Sequence, residues 1–92
     1  MLPETKSKKG RLAAIRLARA ADAYFRADLP ATEREALATL ELARRLPLAS
    51  WLLANSLVLR KEHSRAAKYW PDAARLPGPL GNEARPFTER SK

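Results

Sequence analysis

The sequence predicts an all-α protein: a small three-helix bundle followed by an irregular, proline-rich C-terminal arm. Three observations carry this. Ile15 and Val58 are the only isoleucine and valine in a chain rich in Ala, Leu and Arg, so helix formers far outnumber β-branched residues. Pro30 and Pro47 divide the first two-thirds of the chain into three stretches with helical apolar spacing. The stretch 46–59 carries no charge in a chain that is 30% charged, which marks it as the helix the others surround.

Residues 1–10 read as a flexible basic arm, with Gly10 weakening any helix start there. The first helix is predicted over 11–28. Leu17, Ala21, Tyr24 and Phe25, with Ala14 above them, form one apolar stripe. Lys8, Arg11, Arg19 and Arg26 fall on another face, with Leu12 and Ile15 among them.

The second helix is predicted over 32–46. Thr32 and Glu35 have the spacing of a capping box, in which two side chains satisfy amide donors left over at a helix start. Ala36, Leu37, Leu40 and Ala43 form its inner stripe. Arg34, Glu41 and Arg45 form its wet side, with Glu41 and Arg45 at ion-pair spacing. Pro47 ends this helix and opens the third, predicted over 48–69.

Stepping about 100° per residue puts Leu48, Trp51, Leu52, Val58 and Leu59 on one broad face of the third helix, with Asn55 in its middle. Leu46, Leu53 and Leu57 fall on a second stripe. That stripe has no obvious cover within the chain and is expected to be a partner interface, for a homodimer or another protein, unless Leu76, Leu80 and Phe87 fold back over it. Pro71, Pro77, Pro79 and Pro86, with Gly78 and Gly81, make 71–92 an expected arm rather than a long helix. The chain thus divides into an arm (1–10), a helical domain (11–70) and a second arm (71–92).

Composition narrows the function. The 92 residues suffice for one domain, and the absence of cysteine removes disulfides, iron–sulfur clusters and thiolate zinc sites. The uncharged stretch is too short for a membrane span, and neither a secretory apolar segment nor an acid-free transit peptide is present, so a cytoplasmic protein is expected. His63 has only Glu62 and Ser64 beside it, and adjacent helix positions do not face one another. The Gly78-Pro79-Leu80-Gly81 run lacks the lysine of a phosphate loop. The expectation is a protein that is not an enzyme and uses no metal or cofactor.

The net charge is +8, unevenly spread: residues 1–30 carry +4, 31–46 balance, 47–70 carry +3 and 71–92 carry +1. Such a surplus favours anionic partners. The corner at Leu46-Pro47-Leu48 has a helix-turn-helix look over Leu40 to Arg60. However, Pro47 stands where glycine is usual, and Leu48, Ala49, Ser50 and Trp51 offer no base-reading side chain. Phosphate contact without sequence reading fits better. Lys6, Lys8, Lys9, Arg11, Arg16, Arg19 and Arg26 are its expected donors, with Arg65 and Lys68 at the far end. Tyr69 and Trp70 beside Lys68 suit base stacking, although capping the core is the favoured role for them. The leading expectation is a basic nucleic-acid-binding regulator or accessory factor. The alternative is a protein-interaction module, an adaptor, inhibitor or homo-oligomer, that docks an acidic protein surface or its own copy through the apolar third helix and the basic surface.

Overall fold

The structure is a computed structural model that describes residues 4–44 and 46–90. It is all-helical, with six helices: α1 (Glu4–Phe25), α2 (Leu29–Leu42), α3 (Pro47–Leu59), α4 (His63–Ala67), α5 (Trp70–Ala73) and α6 (Pro79–Arg90). Among the described residues no helix is long and apolar enough to cross a membrane. Helices α1 and α2 run as an antiparallel pair, and α3 packs against α2, α4 and α5.

Helix α3 is enclosed on most of its circumference. Ala49, Ser50, Leu52, Leu53, Ala54, Ser56 and Leu57 are all buried. Two polar side chains of α3 suit this setting because they bond back to their own helix: Ser56 Oγ donates to Leu53 O at 2.9 Å, and Asn55 Nδ2 donates to Trp51 O at 2.9 Å. The rest of the core is built largely from alanine: Ala20, Ala36, Ala66, Ala73 and Ala84 join Leu52, Leu53, Leu57 and Trp70 in one cluster. Small side chains at the contacts let the helix backbones approach closely, so a short chain can still surround its central helix.

This arrangement largely encloses the stripe expected to be a partner interface. Leu53 and Leu57 are 0% exposed and Leu46 is half-buried, so the chain itself covers the stripe. Helices α2, α4 and α5 pack against α3 and bring Ala36, Ala66, Trp70 and Ala73 into the same cluster.

Three helix ends differ from expectation: α2 ends at Leu42 rather than 46, with Ala43 turned extended, and the other two close in the same way as each other. Helix α1 stops at Phe25 because Ala27 takes a left-handed backbone (φ 61°), with Ala27 N–H donating to Tyr24 O and Asp28 N–H to Ala23 O. Helix α3 stops at Leu59, not near 69, because Lys61 does the same (φ 62°), with Lys61 N–H donating to Val58 O and Glu62 N–H to Leu57 O. Residues 63–73 then form two short helices in place of one continuous rod.

The start of α2 also differs. Asp28, rather than Thr32, is its N-cap, and Asp28 Oδ1 accepts from Ala31 N–H at 3.2 Å. Pro30 sits in the first turn, where its missing N–H costs nothing. Thr32 is instead buried and donates its hydroxyl to Asp28 O at 2.8 Å, which leaves Glu35 free to reach another helix.

Residues 71–92 are not an irregular arm over their described length. Gly78 (φ 77°) makes the turn, its carbonyl accepts from Asn82 N–H, and α6 follows with Pro79 at its start. Pro86 lies inside α6 and removes one helical hydrogen bond. Phe87 stacks on Trp70 with centroids 4.4 Å apart, which ties α6 to α5 and leaves Trp70 4% exposed. Gly81 has no room for a side chain: a Cβ there would lie 1.8 Å from Leu76 O.

Two stability outcomes follow. Because L-residues in the left-handed region are strained by roughly 1–2 kcal/mol, Ala27→Gly and Lys61→Gly are each expected to raise stability by about 0.5–1 kcal/mol in urea titrations. Leu53→Ala is expected to cost about 3 kcal/mol in the same assay, as removal of a fully enclosed leucine does. A loss under about 0.5 kcal/mol would mean that Leu53 is not enclosed by its own chain.

Candidate nucleic-acid interface

Helix α1 lies at the edge of the molecule. Ala13, Ala20 and Ala23 are its buried residues, with Leu17, Ala21 and Tyr24 half-buried beside them. Phe25 and Ala14, placed by sequence in the inner stripe, are exposed, and Phe25 is 85% exposed. Tyr24 meets Trp51 edge to face at 5.7 Å. Burial there, and in second place the charge of Glu83, pushes the Tyr24 hydroxyl pKa above its ordinary value.

The outward side of α1 carries Lys8, Arg11, Leu12, Ile15, Arg19, Asp22 and Arg26, all exposed. The mixed basic and aliphatic face predicted from sequence is therefore present. The helix also starts at Glu4 rather than at Arg11, so Lys8 and Lys9 stand on a formed helix. At 22 residues α1 is about 33 Å long, against about 21 Å for the 14 residues of α2. Its first turns therefore overhang its partner, and Lys8, Lys9, Gly10, Arg11 and Leu12 are each exposed.

The structure divides the expected phosphate donors into two sets. Lys8, Lys9, Arg11, Arg19 and, off α1, Lys68 are exposed, and none has an acidic partner among the described residues. Arg16, Arg26 and Arg65 do have one. Arg16 Nη1 lies 3.2 Å from Glu35 Oε2 and joins α1 to α2. Arg26 Nε lies 3.1 Å from Asp22 Oδ2. Arg65 is held in a four-residue cluster. Its Nη2 donates to Glu33 Oε2 at 2.9 Å and its Nη1 to Glu62 Oε1 at 3.1 Å, while Arg60 Nη1 donates to Glu33 Oε1. These bonds hold the Arg65 guanidinium in its charged form.

Glu33 is the residue that sequence reading missed. It ties the start of α2 to the end of α3 and to α4, over separations of 27 and 32 residues, and no local pattern announces such pairs. The Lys6 side chain and Arg45, the expected partner of Glu41, lie outside the described residues. Lys68 is exposed and sits 5.3 Å from the Tyr69 ring centroid. Tyr69 in turn lines a shallow open groove with Leu37, Leu40, Glu41 and Arg44. The groove's Glu41 and Arg44 are of opposite sign, so it has no bias toward an anion. Among the described residues no three acidic or histidine side chains gather as a metal-binding group.

Such an arrangement can hold anions. Glu33 and Glu35 are drawn to arginines that join helices, while Lys8, Lys9, Arg11 and Arg19 stand exposed along α1 and Arg44, Lys61, Lys68 and Arg85 stand exposed elsewhere. The chain matches no known protein family, no curated protein and no solved structure.

The Arg16–Glu35 pair, with Glu35 largely buried, is expected to show a coupling of about 0.5–1 kcal/mol in a double-mutant cycle of Arg16→Ala and Glu35→Ala at low salt. A coupling near zero would mean that this bridge does not join α1 to α2.

Proposed function

We propose that this chain is a small basic protein, not an enzyme, that binds nucleic acid through phosphate contacts from the outward face of α1, as a regulator or accessory factor. The observation that carries the reading is the sorting of charge. Lys8, Lys9, Arg11 and Arg19 have no acidic partner among the described residues and share one edge helix, while Arg16, Arg26 and Arg65 are neutralised by Glu35, Asp22, Glu33 and Glu62. In this reading α1, α2 and α3 form the three-helix body, and the proline-rich residues after Trp70 close its far end. A cytoplasmic setting goes with such a partner.

The face presents no asparagine or glutamine to adenine, and its lysines and arginines contact phosphates in this reading, so binding is expected to be independent of sequence. An acidic protein surface is the second reading. It draws on Leu12 and Ile15, 48% and 49% exposed among the cations, which would give such a surface an apolar centre with a charged rim.

The test is fluorescence anisotropy with a labelled 20-mer at several salt concentrations. Four phosphate contacts predict that log K falls against log salt with a slope of about −3 to −4. Changing Arg11 and Arg19 to Glu is expected to abolish binding with helicity retained. Arg65→Ala is expected to leave the slope unchanged, because Arg65 is committed to Glu33 and Glu62. No binding at low salt would overturn the nucleic-acid reading and leave the acidic protein surface in its place.

A further inference from the structure

We infer that the nucleic acid taken by this face is a B-form DNA duplex, with α1 lying along the major groove; the inference rests on the reading of α1 as a phosphate-binding surface. Shape is the first ground. Helix α1 packs mainly against α2, and residues 8–12 of its first turns are each exposed. A helix with side chains is about 10–12 Å across, which the major groove of B-DNA, about 12 Å wide, admits. The deep and narrow major groove of A-form RNA does not.

Charge is the second ground. Lys9 and Arg11 are two residues apart, about 200° around the helix, so they project from nearly opposite flanks of the overhanging turns. A groove has a phosphate chain on each side, and a helix lying in it needs cations on both flanks. Lys8 and Arg19 continue the set along the outward side.

The apolar residues supply the third ground. Leu12 and Ile15 stand half-exposed among these cations. Within a groove such side chains meet thymine methyl groups and sugars. They cannot stack on a base, and an unpaired strand is held by aromatic stacking beside cations. The aromatic side chains that could do this are committed elsewhere. Trp70 is buried against Phe87, Trp51 meets Tyr24, and Tyr69 lines the groove against α2. Phe25 is exposed, but it ends α1, about 21 Å along the helix from Arg11, and the neighbouring Arg26 is paired with Asp22.

The experiment compares one 20-mer sequence as a DNA duplex, a DNA single strand and an RNA duplex, each titrated at the same salt. The two duplexes carry similar charge, so groove shape is what separates them. The DNA duplex is expected to bind about tenfold tighter than either of the others. Ile15→Ser, at a half-exposed position that folding tolerates, is expected to weaken duplex DNA several-fold with the salt slope unchanged. Equal or tighter binding of the single strand or the RNA duplex would overturn the groove inference and leave phosphate binding standing. An Ile15→Ser variant that binds as the parent does would also overturn it. Failure of all three nucleic acids to bind at low salt would remove the underlying reading as well.

Discussion

Helix α3 has to be surrounded, and most of the molecule can be understood from that requirement. An uncharged helix with buried residues on nearly every side cannot be left at an edge. A chain of this length has few segments with which to enclose it. It manages by lining the contacts with alanine and by breaking what could have been one long third helix into α3, α4 and α5. The break at Lys61 turns the chain, and Ala66, Trp70 and Ala73 join the cluster that holds Leu52, Leu53 and Leu57 of α3. Helix α6 then seals Trp70 through Phe87.

The same requirement explains the distribution of charge. Helices drawn around a common centre are tied to one another by long-range ion pairs: Arg16 with Glu35 between α1 and α2, and Glu33 with Arg60 and Arg65 between α2, α3 and α4. Pairs of this kind, with the arginine side partly in solvent, add modest stability singly. Their larger effect is on what remains. Each structural pair removes one cation from the available surface, and on α1 Lys8, Lys9, Arg11 and Arg19 remain outside such pairs.

Much of this was legible in the sequence. The composition and the positions of Pro30 and Pro47 announce an all-helical chain, and helical spacing places Lys8, Arg11, Arg19, Leu12 and Ile15 together as the structure does. What was not legible has physical reasons. Helix ends are read from glycine at the left-handed position, and here Ala27 and Lys61 occupy it, so the ends were hidden. Four prolines argued against helix in the last stretch, yet Pro79 opens α6 and Pro86 lies within it, anchored by the stacking of the next residue on Trp70. The stripe of Leu46, Leu53 and Leu57 looked uncovered because part of its cover lies beyond the turn at Lys61. Which arginines are free depends on partners as many as 32 residues away, and no window along the chain contains both.

The central claim is that binding takes place on the outward face of α1 and nowhere else of consequence. The direct measurement is a map of backbone amide chemical shifts as duplex DNA is added to isotopically labelled protein. The largest changes are predicted along α1 from Lys8 to Arg19, with α4, α5 and the Tyr69 groove unaffected. Changes centred on Lys68 and Tyr69, or spread without preference over the surface, would contradict the account.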